Sequence, residues 1–156
     1  MRLIAFLRGI NVGGHHKVPM ATLRQVFTEM GFGSVSTLLN SGNVRFESAE
    51  TDLPALEQRL EARLKEEFGF PIPVLLRTEE SLRALVESSP FALILSEAKD
   101  PDIRLYITFT RSGEAIPSVV DLRDSRTVKT MEDLERRLGK DITTRNWNTI
   151  RKLSEP

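Results

Sequence analysis

The sequence predicts an α+β protein, with a ferredoxin-like βαββαβ first half and a smaller, degenerate α+β second half. Three observations carry that expectation. Short apolar runs bounded by Gly, Asn and Pro alternate with segments whose apolar residues recur every three or four positions. In residues 1–78 their order is strand, helix, strand, strand, helix, strand, the split-βαβ pattern. The composition is that of a globular chain, with 40% hydrophobic and 28% charged residues among 156, enough to fold without disulfides or metal.

Leu3 to Arg8 reads as a short buried strand that ends in the loop Gly9-Ile10-Asn11-Val12-Gly13-Gly14. A helix from about Pro19 to Met30 follows, with Met20, Leu23, Val26, Phe27 and Met30 at helical spacing and Gly31 to end it. Val35–Leu39 and Val44–Glu47 are strands joined by Asn40-Ser41-Gly42-Asn43, residue types that suit a tight turn. The second helix carries the stripe Leu53, Leu56, Leu60, Leu64 and Phe68, with Asp52 as cap, Pro54 in the first turn, and Gly69 and Pro71 beyond its end. Pro73 to Arg77 is the fourth strand.

The second half, residues 79–156, is less regular. Thr78 is placed to cap a short helix with Leu82, Leu85 and Val86, and Phe91–Leu95 is an apolar run too short to assign by period. Arg104–Thr110 is a strand with Leu105, Ile107 and Phe109 on one face, and Ser118–Leu122 is a further candidate. Thr130 is expected to open a helix with Asp133 in the capping-box position and Gly139 at its end. A last helix is expected from Thr143 or Thr144, with Trp147, Ile150 and Leu153 on one face. The chain would thus end in two helices.

Lys plus Arg and Asp plus Glu each number 22, so no global basic field exists to hold nucleic acid. Cysteine is absent, which excludes thiol catalysis and Cys-ligated zinc. The first apolar run, Leu3–Leu7, is shorter than the ~7–15 residues of a signal-peptide core or the ~20 of a membrane span. A cytoplasmic protein with no membrane association is the expectation.

The loop after the first strand stands where backbone N–H groups and a helix N-terminus favour anions. Gly9 and Gly14 have phosphate-loop spacing, but His15-His16 stand where Lys and Ser/Thr are required. Asn11 replaces the second glycine of a dinucleotide fingerprint. An anion site and a ligand-free loop with glycines at positive φ both remain open. His15 and His16, the two histidines, have no further ligands at metal spacing, so no metal or cofactor is expected. The carboxylate pairs Glu66-Glu67, Glu79-Glu80 and Asp121/Asp124 read as solvated faces or caps.

Two further segments are rich in amides: Asn40-Ser41-Gly42-Asn43 and Thr143-Thr144-Arg145-Asn146-Trp147-Asn148-Thr149. Asn offers a donor and an acceptor at short reach and Arg a rigid donor fork, so this vocabulary serves recognition more than proton transfer. It equally serves turns, helix caps and core filling.

Taken together, Leu7-Arg8-Gly9-Ile10-Asn11-Val12-Gly13-Gly14 with Lys17 and Met20, then Asn40-Ser41-Gly42-Asn43-Val44 with Phe46, then Thr143 to Thr149, resemble the bacterial DUF1697 family. The resemblance implies a small α+β protein with a ferredoxin-like first half, and it implies no activity. Its signature positions here are Arg8, Asn11, Ser41, Asn43, Arg145, Asn146, Trp147 and Asn148. The stretch after the strand at 104–110 is shorter than in that family, so the second half is expected to lack a hairpin.

The functional expectation is binding of a small anionic or nucleotide-like ligand. Its site would use Arg8, Gly9, Asn11, Gly13, Gly14, Lys17, Asn40, Ser41, Asn43, Arg145, Asn146 and Asn148. Two alternatives stand beside it. One is a nucleic-acid-binding module using the sheet and the basic C-terminal helix. The other is an enzyme that stabilises an anion with Arg and backbone N–H groups. The chain is compatible with a monomer or a homodimer.

Overall fold

The computed structural model describes residues 1–91, 100–139 and 141–155. The fold is α+β, with the chain dividing into two compact units, Met1–Ser81 and Leu82–Pro156.

The first unit contains β1 (Arg2–Leu7), α1 (Met20–Glu29), β2 (Gly33–Leu38), β3 (Asn43–Glu47), α2 (Leu53–Phe68) and β4 (Val74–Thr78). Its strands pair antiparallel in the order β2-β3-β1-β4. The strands flanking each helix are therefore separated by one other strand, and β1 lies inside the sheet. Every second residue of β1 faces the helices: Leu3, Ala5 and Leu7 join Leu23, Val26 and Phe27 of α1 and Leu56, Leu60 and Leu64 of α2 in one core. Phe27, Phe32 and Phe46 form a ring cluster with centroids 4.7–5.9 Å apart. Phe27 and Phe46 are fully buried, and such a side chain contributes about 1.5–3 kcal/mol. On the opposite face of the sheet Ile4, Phe6 and Leu75 are also fully buried.

The boundaries of α2 follow from its sequence. The Asp52 carboxylate accepts from Ala55 N at 3.1 Å. At the other end Gly69, with φ +82°, takes the left-handed conformation that closes the helix. Two carboxylates one turn apart on α2 reach the edge strand β4. Glu57 accepts from Leu76 N at 2.8 Å and Glu61 from Val74 N at 3.0 Å. These backbone donors would otherwise offer a template for another strand.

The helix α3 (Glu79–Glu87) opens on Thr78, whose hydroxyl accepts from Ser81 N at 3.0 Å. Glu79 is not on a solvated face. It is buried, with Arg2 Nε 3.1 Å from its carboxylate.

The second unit carries β5 (Ile103–Thr110), β6 (Ala115–Asp121), α4 (Ser125–Leu138), β7 (Ile142–Asn146) and α5 (Trp147–Ser154), with sheet order β6-β5-β7. Three expectations are corrected here. A β5–β6 hairpin is present, turned through Arg111–Glu114 with Thr110 N donating to Glu114 O at 3.0 Å. The helix α4 begins at Ser125, not Thr130, because Asp124 caps it through Arg126 N at 3.0 Å. Residues 142–146 are a strand, and the last helix starts only at Trp147. β-branched Thr143 and Thr144 favour extended backbone, and Thr144 shares a 2.8 Å hydroxyl hydrogen bond with Thr108 across the β5–β7 pair. The unit therefore ends in helix, strand, helix. Beyond Phe91, the run to Leu95 lies outside the described residues.

Candidate functional site

The loop after β1 and the turn between β2 and β3 are built as one piece. At the end of β1, Leu7 N donates to Gly42 O at 2.9 Å and Arg8 N to Pro73 O at 3.0 Å. Gly9 turns the chain at φ +73° and buried Ile10 anchors it. Residues 11–16 then form a miniature hairpin: Asn11 N donates to His16 O and His15 N to Val12 O, both at 3.0 Å. Its apex, Gly13-Gly14, has successive φ values of +59° and +77°, the requirement of a two-residue hairpin turn.

Asn11 sets this geometry. Its side-chain amide donates to Val18 O at 3.0 Å and to Asn40 O at 2.8 Å, and its Oδ1 accepts from Val18 N at 2.8 Å. Both amide protons are thus committed to holding the loop. Asn43, fully buried, does the same for the turn: its Nδ2 donates to Leu38 O at 2.7 Å and to Ser41 Oγ at 3.2 Å. Gly42 lies between loop and turn with φ +92°, and a Cβ there would stand 2.8 Å from Ile10 Cδ1 and 2.9 Å from Leu7 Cβ.

The groups this platform presents outward are different ones. Lys17, Asn40, Ser41, Gly13 and Gly14 are exposed, and Arg8 is half-buried. His15 and His16 are also exposed, and the His16 ring stacks on Phe70 with centroids 4.2 Å apart. The helix α1 follows from Pro19 with no side-chain cap and no acid in its first turn. The 8–18 loop and the 38–43 turn hold two basic side chains, Arg8 and Lys17, and no acidic one, a local asymmetry that the zero net charge conceals.

Strain gathers at the same place. Among the described residues, five non-glycine positions have positive φ, and Asn11, His16 and Leu39 are three of them. Such conformations cost about 1–3 kcal/mol each and persist only where surrounding bonds enforce them.

Arg145, Asn146 and Asn148 belong to the second unit. Arg145, on β7, is buried, and desolvation lowers its pKa to about 10. Its Nη1 donates to Thr143 Oγ1 at 2.6 Å and to Thr144 O at 3.0 Å. Asn146 caps α5 by accepting from Asn148 N at 2.8 Å, and the Asn148 side chain is exposed. Trp147 packs edge-on against Phe91 at 5.2 Å.

Two surface depressions lie elsewhere. One of about 720 Å3 in the first unit is lined by residues including Phe32, Glu47 and Arg59. One of about 490 Å3 in the second lies between β6 and α4, beside Ile116, Val119 and Arg137. Neither is lined by a candidate ligand-binding residue named from the sequence. Among the described residues no three His, Asp or Glu side chains come together as metal ligands, and no helix is long and apolar enough to cross a membrane.

A comparison with curated proteins finds no match. Among solved structures, the fold is similar to that of a conserved bacterial protein from Streptococcus pneumoniae. The TM-score is 0.66 at 24% identity, over 98% of this chain and 96% of that one. A family model described as protein of unknown function, DUF1697, matches residues 1–140, which include the loop and the turn but not Arg145, Asn146 or Asn148. The chain belongs to the DUF1697 family.

Proposed function

We propose that the protein binds a small anionic or nucleotide-like ligand on the platform formed by the 8–18 loop and the 38–43 turn. The observation that carries this reading is the interlock of the two segments through Asn11. It holds a strained, glycine-rich backbone in one shape beside Arg8 and Lys17. Pre-ordered backbone lowers the entropy lost on binding. Lys17, Arg8 and the exposed N–H groups of the Gly13-Gly14 apex supply the attraction. Gly9, Asn11 and Asn43 position them, while Asn40 and Ser41 add polar contacts. The loop and turn carry no carboxylate, so the surface suits recognition of an anion and supplies no acidic side chain for proton transfer.

The nucleic-acid alternative has less support. Modules that read RNA on a four-stranded sheet stack bases on exposed aromatics, whereas Phe6, on the face opposite the helices, is fully buried.

The test is a ¹H–¹⁵N NMR titration with inorganic pyrophosphate and with adenosine monophosphate. Shifts confined to the amides of residues 8–18 and 38–43 are expected. Shifts confined to other residues, or none at millimolar ligand, contradict the reading.

A further inference from the structure

We infer that the ligand of this platform carries an apolar body beside its anionic group, and that Val12 and Leu39 hold that body. The inference rests on the anion-binding reading above and names the ligand class.

Val12 is 66% exposed and Leu39 57%, more than any other large hydrophobic side chain among the described residues. Each stands one residue from the bond that joins the loop to the turn. Val12 follows Asn11 and Leu39 precedes Asn40, and the Asn11 side chain donates to Asn40 O at 2.8 Å. Leu39 also has a φ of +62°, a conformation that strains an L-residue and that Gly or Asn adopts more readily. A leucine here gains no core packing and does not suit its turn. Val12, at the foot of the Gly13-Gly14 apex, lies outside the buried core as well.

Two exposed aliphatic side chains, each one residue from the Asn11–Asn40 hydrogen bond and one of them held against backbone preference, favour an apolar partner. Their setting narrows that partner. Lys17 is exposed on the same loop, directly after His15 and His16, Arg8 is half-buried at its start, and neither the loop nor the turn carries an acidic side chain. Apolar contact next to positive charge selects an amphiphilic anion, meaning a phosphate or carboxylate attached to a ring or short chain.

The test compares inorganic phosphate with 1-naphthyl phosphate, which adds an apolar body to the same anion, by isothermal titration calorimetry at fixed ionic strength. The wild type is expected to bind 1-naphthyl phosphate at least tenfold more tightly, with Lys17→Ala weakening both ligands. In the double variant Val12→Ser, Leu39→Gly the preference is expected to fall to about twofold or less. Glycine accepts the φ of position 39, and an unchanged melting temperature verifies that the fold is kept.

Phosphate binding that depends on Lys17 with no preference for the naphthyl ester sinks this inference and leaves the anion site standing. A preference that survives in the double variant sinks it too. Failure of both ligands to bind overturns the inference together with the reading beneath it. Cosedimentation with phosphatidylserine vesicles that requires Val12 and Leu39, without a naphthyl preference, assigns the pair to a lipid surface and overturns the inference.

Discussion

The side-chain amide of Asn11 donates a 2.8 Å hydrogen bond to the backbone carbonyl of Asn40, joining two loops 29 residues apart in sequence. The same side chain bonds both the N–H and the C=O of Val18, so one residue closes the loop on itself and fastens it to the β2–β3 turn. Asn is well suited to this work. It combines two donors with an acceptor and tolerates the φ of +54° found there.

Asn11→Ala is therefore expected to lower stability by about 2–3 kcal/mol, from three lost hydrogen bonds and a strained φ without compensation. Asn11→Asp keeps the acceptor for Val18 N but turns a carboxylate oxygen on the Val18 and Asn40 carbonyls, and should lose at least as much stability as Asn11→Ala. Urea unfolding at neutral pH measures both.

The glycines should separate by surroundings. Gly42→Ala combines positive φ with contacts below 3.0 Å to Ile10 and Leu7 and is expected to cost about 3 kcal/mol or more. Gly13→Ala has the positive φ with only His15 Cδ2 at 4.0 Å and is expected to cost about 1 kcal/mol. Equal losses in thermal unfolding would mean that packing at Gly42 is looser than the geometry requires.

Glu57 and Glu61 occupy the outward N–H groups of edge strand β4. Replacing both by Ala frees two donors and uncovers a strand edge, so Glu57→Ala, Glu61→Ala is expected to lose stability and to associate as concentration rises. Sedimentation velocity over a concentration series would reveal it. A double variant that keeps the wild type's sedimentation behaviour at every concentration contradicts the protective role.

Much of the first unit was legible in the sequence because local signals and tertiary packing agree there. Asp52, the leucine stripe and Gly69 each act on α2 as their residue types imply. The second unit misled where two local signals competed. Thr143 and Thr144 resemble helix starters, but their β-branched side chains serve β7, and the cap of α5 falls to Asn146. Thr130 likewise yielded to Asp124 as the start of α4. At the candidate site the residue types were legible and their division of labour was not. Nothing local tells that Asn11 and Asn43 spend their donors inside the protein while Lys17 faces out, because that follows from contacts across the chain.

Acid should loosen the start of α4. Hydrogen bonds from the Arg123 and Arg126 side chains hold the carboxyls of Asp121 and Asp124 below the ordinary aspartate range. Since these folded pKa values are depressed, the stabilisation is present above about pH 4 and is lost as pH falls through the folded values. The variant Asp121→Asn, Asp124→Asn should show a shallower loss of melting temperature than wild type below about pH 4. Identical slopes would deny the pairs a role.

The central claim is that the platform binds a small anion. A thermal-shift panel of phosphates, carboxylates and mononucleotides on wild type and Lys17→Ala tests it most directly. A ligand at about a hundred times its dissociation constant adds roughly 2.7 kcal/mol, a rise of roughly 5–10 °C for a chain of this size. Such a rise is expected for at least one anion, lost in Lys17→Ala while the unliganded melting temperature of that variant stays at the wild-type value. No rise with any anion, or a rise of the same size in Lys17→Ala, would contradict it.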